Sequence, residues 1–108
     1  MREALTMINV RTIRKLGEND GLTLKAGRII TYKSGWQVAD YGYELATAEE
    51  AIACVRKLGG DCGIWYSGGI YYVDHSFRID TKREALAIGR AHTQISIWGW
   101  KTQKLAYC

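Results

Sequence analysis

The stretch ITYKSGWQVADYGYELATAEEAIACVRK at residues 30–57 aligns without a gap on IWYSGGIYYVDHSFRIDTKREALAIGRA at residues 64–91, so that Ile30 matches Ile64. Nine of the 28 aligned positions are identical. A third copy begins at Ile97-Trp98, which match Ile64-Trp65, and is cut short by the end of the sequence. A period of this size is typical of a repeated supersecondary unit. We therefore expect the chain to build the same small motif at least twice.

Each copy carries a clear signal for the start of a helix. Thr47 and Glu50 in the first copy, and Thr81 and Glu84 in the second, have the spacing of a capping box. In this motif the threonine oxygen accepts a hydrogen bond from the third amide of the helix, and the glutamate reaches back to the cap amide. Capping explains these repeated residues, and a duplicated active site is the alternative interpretation of the same identities.

The two predicted helices differ on the face that should meet the sheet. The first helix ends at Gly59 and has an apolar stripe formed by Ala48, Ala51, Ile52, Val55 and Leu58. In the second helix Gly89 and His92 replace the last two of these residues. We expect Gly89 to allow close approach of the helix to the sheet. His92 is interpreted as a half-buried structural histidine.

A predicted hairpin precedes each helix. Residues 28–33 and 36–45 flank the turn Ser34-Gly35, and residues 64–67 and 70–79 flank the turn Gly68-Gly69. A third hairpin is predicted from residues 95–101 and 103–107. The sequence therefore predicts an α+β fold, with a largely antiparallel sheet made of two tandem ββα repeats and a C-terminal hairpin. The helices are expected on one face of that sheet.

A chain of this length is expected to form a single domain over residues 1–108. Within it we distinguish a basic N-terminal segment (1–28), repeat 1 (29–62), repeat 2 (63–96) and a partial third hairpin (97–108). Residues 1–16 fit either a helix or a strand. Residues 18–21 predict a turn, and residues 22–24 a short strand.

The composition is that of an ordinary globular protein, with 47% hydrophobic and 24% charged residues. No apolar run approaches the roughly 18–20 residues that span a bilayer, and the N-terminus lacks the apolar core of a signal peptide. Three cysteines without metal-ligand spacing indicate reduced thiols. We therefore expect a cytoplasmic protein that does not enter a membrane.

The net charge of +4 is unevenly distributed. Residues 1–28 carry six basic and three acidic side chains, whereas residues 29–108 carry nine basic and eight acidic ones. The near neutrality of the repeats argues against phosphate binding by the sheet.

The alternation of side chains along a strand assigns residues to the two faces of the predicted sheet. The more apolar set is expected under the helices: Ile30, Tyr32, Ala39, Tyr41, Tyr43, Leu45, Ile64, Tyr66, Val73, His75, Phe77 and Ile79. The opposite set is Thr31, Lys33, Trp36, Val38, Asp40, Trp65, Tyr72, Asp74 and Arg78. Adding Trp98 and Trp100 places all four tryptophans on the helix-free face, provided that no bulge shifts a strand.

Four tryptophans form too large an apolar area to remain in water without a reason. Three outcomes are open. The N-terminal segment folds over the face, the face pairs with itself in a homodimer, or the face binds a partner.

Residues that would support catalysis are few. No nucleotide-binding loop, zinc-ligand spacing or nucleophile elbow occurs. Asp40, Asp74 and His75 are conceivable as an acid/base group, but His75 is predicted on the face opposite the two aspartates. We therefore expect a protein that is not an enzyme and that holds no metal and no cofactor.

Residues 69–91, GIYYVDHSFRIDTKREALAIGRA, resemble the strand-then-helix module of the arm-binding domains of phage-type integrases and of related plant transcription factors. The resemblance lies in a hairpin that ends in an aromatic residue, followed by Thr-Lys-x-Glu-Ala at the helix start. It implies that the helix-free face enters the major groove of DNA, with contacts from Lys33, Trp36, Trp65, Tyr72 and Arg78. The strands of this chain lack the run of Lys and Arg that the family has there, and Asp40 and Asp74 are predicted on that face.

A near-neutral face rich in Trp and Tyr is typical of a protein interface. The leading hypothesis is a non-enzymatic binding protein that docks on a protein or nucleoprotein partner. The contact residues are Trp36, Trp65, Tyr72, Trp98 and Trp100, with Lys33 and Arg78 at the rim. By type, the chain resembles small phage and mobile-element inhibitors, anti-CRISPR proteins among them.

The alternative is a nucleic-acid-binding module. Aromatic residues on a sheet can stack on unpaired bases. This module would use the same face or the basic N-terminal residues Arg2, Arg11, Arg14, Lys15, Lys25 and Arg28.

Overall fold

The structure, a computed structural model, describes residues 7–108. It contains three helices: α1 (Val10–Arg14), α2 (Ala48–Leu58) and α3 (Lys82–Ala91). The seven strands are β1 (Gly21–Lys25), β2 (Arg28–Ile29), β3 (Trp36–Leu45), β4 (Asp61–Ser67), β5 (Ile70–Ile79), β6 (Ser96–Gly99) and β7 (Lys104–Tyr107). They form one antiparallel sheet in the order β2-β1-β4-β5-β3-β6-β7. The predicted α+β class is confirmed.

The strand and helix at the end of each repeat are duplicated. β3 and β5 are of equal length and begin at aligned positions of the two copies. α2 and α3 also begin at aligned positions. β3 and β5 are also antiparallel neighbours, with Tyr41 of one opposite its repeat counterpart His75 of the other. An antiparallel pair has a local two-fold axis normal to the sheet. The two strand–helix units are therefore related by an approximate two-fold axis near this pair.

The predicted helix caps are present. The Thr47 oxygen accepts from the Glu50 amide at 3.1 Å, and the Thr81 oxygen accepts from the Glu84 amide at 3.3 Å. α2 ends at Gly59, as expected. The cap of α3 is His92, which lies exposed rather than half-buried, because the helix ends and the chain turns at this residue.

Gly89 faces the sheet as predicted. A Cβ on this glycine would lie 3.2 Å from a methyl group of Ile97 and 2.8 Å from the Cys108 sulfur. The missing side chain therefore lets α3 pack closely on β6 and the end of the chain.

The first predicted hairpin is wrong. β2 has only two residues and pairs with β1, and β3 pairs with β5 and β6 instead. The strand order puts β2 and β3 four positions apart, about 19 Å at about 4.8 Å per strand. The seven residue steps from Ile29 to Trp36 reach about 24 Å when extended. Residues 30–35, which we call the strap, therefore run across the sheet rather than along it.

The other two hairpins are confirmed. β4 and β5 pair across Gly68-Gly69, with Ser67 opposite Ile70 and Trp65 opposite Tyr72. β6 and β7 form the C-terminal hairpin, with shorter strands than predicted. The predicted short strand at residues 22–24 is the middle of β1.

A β-bulge in β3 changes which side chains face the helices. The register between β3 and β5 shifts between Ala39 and Tyr41. A bulge inserts one residue and reverses the alternation beyond it. Trp36 and Val38 therefore lie on the helix side, where they pack in a cluster with α3, and their predicted place on the helix-free side was wrong.

Two apolar clusters hold the helices on the same side of the sheet. One joins α1 and α2 to β1, β4 and β5, with Ile13, Ala51, Ile64 and Val73 at its centre. The other joins α3 to β3 and β6 through Val38, Ala85 and Ile97. Leu45, Phe77 and Ile79 pack against these clusters, as predicted. Tyr41 and Tyr43 remain exposed, because they fall between the two clusters.

The described part of the N-terminal segment packs on the helix side. Ile8 and Ile13 are buried in the cluster with α2, and Asn9 caps α1 by accepting from the Thr12 amide at 3.0 Å. Residues 7–16 therefore do not cover the helix-free face, which was one of the three expected outcomes. Residues 1–6, Arg2 among them, lie outside the described residues.

The duplicated caps predict matched losses of stability. Thr47→Ala and Thr81→Ala should each lower the free energy of unfolding by about 1 kcal/mol, because each leaves one helix amide without its acceptor. The losses should add in the double variant, since the caps share no partner. Chemical denaturation monitored by circular dichroism measures them, with Thr47→Ser and Thr81→Ser as controls that keep the oxygen. An unchanged midpoint in both alanine variants would contradict the capping role.

Candidate binding site

The strap crosses the helix-free side of the sheet and is fastened there at both ends. At its start the Ile30 amide donates to the Thr23 carbonyl at 2.9 Å. At its end the Arg78 Nε donates to the Ser34 carbonyl at 2.8 Å, and the Trp100 amide donates to the Gly35 carbonyl at 3.0 Å. The strap, and not residues 7–16, thus partly covers this face.

Aromatic and cationic contacts hold the middle of the strap. The Tyr32 ring meets the Trp100 ring edge-on at 5.5 Å, and the Arg78 guanidinium lies 5.5 Å from the centre of the same tyrosine ring. Gly35 has a φ of +90°, and a Cβ on it would lie 2.7 Å from the guanidinium carbon of Arg78. Glycine therefore serves two needs here, the backbone angle and the close approach.

A buried hydrogen-bonded chain lies beneath the end of the strap. The Trp100 indole Nε1 donates to Gln37 Oε1 at 3.1 Å, and Gln37 Nε2 donates to Ser76 Oγ at 3.1 Å. Among the described residues, no buried side-chain N or O atom lacks a partner. These polar groups are satisfied within the protein, so they stabilise the floor of the face and make no demand on a ligand.

An open groove remains on this side, with a volume of about 790 Å³. Its lining is mainly apolar and includes Ile30 of the strap, Trp65 of β4, and Trp98 and Leu105 of the C-terminal hairpin. Trp65 is 45% exposed and packs on Tyr72 with the ring centres 5.1 Å apart. This volume lies in the range of ligand-binding clefts, about 300–1,000 Å³.

Asp74 lies in the floor of the groove between two glycines of the neighbouring strands. Gly63 of β4 and Gly42 of β3 are its direct cross-strand partners. A Cβ on Gly63 would lie 2.9 Å from an Asp74 carboxylate oxygen, and one on Gly42 would lie 3.1 Å from the Asp74 Cβ. The aspartate therefore occupies space that two ordinary side chains would fill.

The carboxyl of Asp74 is electrostatically unfavourable in this place. Burial raises its pKa to about 7, and the nearby charge of Asp40 acts in the same direction. The Gly63 amide and the charge of His75 oppose this rise and lower the pKa less than burial raises it. Near neutral pH the groove therefore contains a carboxyl that is only partly ionised, and a cation brought close to it would favour the charged form.

The bulge brings Asp40 and His75 together, contrary to expectation. His75 Nδ1 lies 2.8 Å from Asp40 Oδ1, and the Tyr41 ring stacks on the imidazole with the centres 5.3 Å apart. The strict alternation assumed from the sequence placed these two residues on opposite faces, and the extra residue in β3 cancels that separation. A hydrogen bond to Asp40 and a ring stack account for His75 as a structural residue at the approximate two-fold axis.

The residues predicted to bind a partner divide into three groups. Trp65, Tyr72 and Trp98 lie on the helix-free side and line or flank the groove. Trp100 is buried and Arg78 is bound to the strap, so both support the site from within. Trp36 lies on the other side of the sheet, with the Lys82 amine 5.6 Å above its ring.

The contact residues expected from the sequence omitted several residues of this face. Thr31 of the strap lines the groove, whereas Lys33, which was expected to contact the partner, is exposed outside that lining. Leu105 and Tyr107 of the C-terminal hairpin are exposed, and so is Ile95 just before it. The alternation of side chains in residues 104–107 could have placed Leu105 and Tyr107 on this face. The crossing of the strap, in contrast, has no local sequence signal.

The basic residues of the nucleic-acid alternative do not surround the groove. Arg11, Arg14 and Lys15 lie on or next to α1, on the helix side, and Arg14 forms an ion pair with Glu49. Lys25 and Arg28 pair across the β1–β2 turn at the edge of the sheet. The two surfaces named for that alternative are therefore separate.

The described residues offer few groups for metal binding, thiol chemistry or membrane insertion. No three His, Cys, Asp or Glu side chains of residues 7–108 are grouped so that they could hold a metal ion. The three cysteines are free thiols, and burial raises the pKa of Cys62 to about 12. None of the described helices has the length and apolar character needed to cross a bilayer.

Comparison of the chain with protein-family models, with curated proteins and with solved structures gives no match.

The Asp74 carboxyl predicts a pH-dependent difference between the protein and its Asp74→Asn variant. The pKa is 3.8 in the unfolded reference and about 7 in the fold. The contribution of Asp74 to the free energy of unfolding is therefore greatest below about pH 4, and it is lost as the pH rises towards 7. At pH 8 the variant should be the more stable, by about 4 kcal/mol at most.

Urea unfolding at pH 4, 6 and 8 measures this difference. Glu44→Gln is the control, because it removes one exposed carboxylate from β3 without touching the groove floor. A difference between Asp74→Asn and the native protein that is the same at all three pH values would rule out a raised pKa.

Proposed function

We propose that the chain is a non-enzymatic binding protein that docks through this groove onto a protein or nucleoprotein partner. The observation that carries the proposal is the groove itself: an apolar cleft of about 790 Å³ on a sheet face whose buried polar groups are already paired. Binding to such a surface is favourable mainly because apolar area is removed from water, as it is in protein interfaces with aromatic anchors.

Two anchor points support this proposal. Trp65 with Tyr72 forms the first, and Trp98 with Leu105, its cross-strand partner in the C-terminal hairpin, forms the second. Both lie on rigid strands, so little conformational entropy is lost when a partner binds. The strap, Gln37 and Ser76 lie between them and line the same groove. A partner segment that contacts both anchors would run across the strands.

The groove also indicates the chemistry of the partner segment. Asp74 contributes a carboxyl close to the first anchor, and a lysine or arginine placed there would stabilise its charged form. We therefore expect a mainly apolar segment with one cationic side chain. Binding of a phosphate backbone is disfavoured because it needs several free cations. Of the two cations expected at the rim, Arg78 is already bound to the strap and to Asp80, which leaves Lys33.

A role as a phage or mobile-element inhibitor of a host system such as CRISPR is the biological setting that this type of small binding chain suggests. It stays a prediction, and the identity of the captured partner tests it.

The anchor residues predict which variants lose the partner. Affinity capture from the source cells should recover a partner with the native chain and at least tenfold less of it with Trp65→Ala or Trp98→Ala, since aromatic anchors contribute on the order of 2 kcal/mol or more each. Tyr43→Ala should capture as much as the native chain. It is the matched control, because Tyr43 is an aromatic residue of similar exposure (49%) on the helix side.

Two results would contradict the proposal. One is equal capture by the native chain and both tryptophan variants. The other is tight binding of DNA or RNA oligonucleotides that weakens steeply with salt, which would favour the nucleic-acid alternative.

A further inference from the structure

The carboxylate of Asp74 lies directly beside the first anchor of the groove. A Cβ on Gly63 would lie 2.9 Å from an Asp74 carboxylate oxygen, so the carboxylate lies over Gly63 of β4. Trp65 is two residues further along the same strand and therefore on the same face, with its Cα about 6.6 Å from that of Gly63. Because Gly63 has no side chain, no side chain of β4 separates the carboxylate from the indole.

Asp74 has no ion-pair partner within residues 7–108. The charged and titratable side chains nearest to it on β1, β3, β4 and β5 are Lys25, Asp40, Glu44, Asp61, His75 and Arg78. Each base among them already lies beside an acidic residue other than Asp74. The groove floor therefore offers a carboxylate with which a cation from outside the described chain can pair.

An arginine side chain suits this place better than a lysine side chain. Tyr72 packs on Trp65 with the ring centres 5.1 Å apart, so the two rings leave no gap between them that could enclose an ammonium group. Trp65 is still 45% exposed. A flat guanidinium can stack on an exposed indole and donate two parallel hydrogen bonds to a carboxylate. An ammonium group is more strongly hydrated and gains less from both contacts.

We propose that the groove binds an arginine side chain of the partner, with the guanidinium stacked on Trp65 and hydrogen-bonded to the Asp74 carboxylate. This inference rests on the proposed function, because it gives the cationic side chain of the partner segment a residue type and a place. It also explains the two glycines beside Asp74. Side chains at Gly42 and Gly63 would fill the space around the carboxyl, whereas glycine leaves it open to the groove.

The site should bind arginine more tightly as the pH rises. Only the ionised carboxylate can accept both hydrogen bonds of the guanidinium. Burial raises the pKa of Asp74 to about 7, so the ionised fraction increases from about 3% at pH 5.5 to about 90% at pH 8. The affinity for arginine should therefore increase about tenfold or more between these two pH values.

A nuclear magnetic resonance titration with single capped amino acids tests the site. N-acetyl-arginine methylamide, added up to about 100 mM at constant ionic strength, should shift the signals of the Trp65 indole and the Gly63 amide, with a millimolar dissociation constant. The citrulline analogue is the matched control probe and should not bind, because it has the same length and shape without the charge. The lysine analogue should bind about threefold more weakly or less.

Two variants separate the two contacts. Asp74→Asn should weaken arginine binding about tenfold or more at pH 8 and remove its pH dependence, since the amide carries no charge. Trp65→Leu should weaken binding about threefold or more at both pH values, because it removes the stacking surface and keeps the carboxylate. Glu44→Gln is the matched control. It removes another carboxylate from β3 and should leave arginine binding unchanged within about twofold.

Three outcomes would overturn the inference: no shift of either signal at pH 8, equal binding of the arginine probe and either other probe, or arginine binding that Asp74→Asn leaves unchanged. The titrations do not involve the captured partner. Arginine binding together with capture that neither Trp65→Ala nor Trp98→Ala weakens would contradict the proposed function alone. Capture that depends on both tryptophans, without arginine binding, would contradict the arginine site alone.

Discussion

The pairing of β3 with β5 is the interaction on which the rest of the structure depends. These are the two longest strands, they lie next to each other in the middle of the sheet, and each leads into one of the two long helices. Their antiparallel register places the two copies of the repeat about an approximate two-fold axis at Tyr41 and His75. Both helices therefore reach the same side of the sheet, and no helix of residues 7–108 lies on the opposite side.

The bulge in β3 makes the two copies unequal. One extra residue reverses the faces of Trp36 and Val38, which supplies the cluster beneath α3 with two large side chains. It also directs Asp40 towards His75, while its repeat counterpart Asp74 stays in the floor of the groove. Two identical residues thus have different tasks: Asp40 forms a hydrogen bond with His75 that joins the strands, and Asp74 is a partly ionised carboxyl that faces the groove.

The strap is the second departure from the repeat and has the larger effect on function. Because β1 takes β2 as its edge partner, the chain must cross the sheet to reach β3. The crossing is secured by Arg78 and Trp100, both of which would otherwise be exposed on the helix-free side. It covers one end of that side and leaves a bounded groove in place of a flat aromatic surface. Trp65 is exposed and Trp98 is half-buried in the groove wall, which suits a defined partner segment better than a broad contact.

The sequence by itself determined the elements whose causes are local. The capping boxes at Thr47 and Thr81, the glycine turn at Gly68-Gly69 and the apolar stripe of α2 follow from short-range hydrogen bonds and helical periodicity, and the structure confirms them. The placement of Trp65, Tyr72 and Asp74 on one face also followed, since β4 and β5 keep an unbroken alternation. Only the tertiary structure decided the partner of β3, the bulge at Asp40 and the path of the strap. Each of these depends on which strands lie side by side, and that choice is made by the summed packing of distant residues, for which residues 28–45 alone carry no local signal.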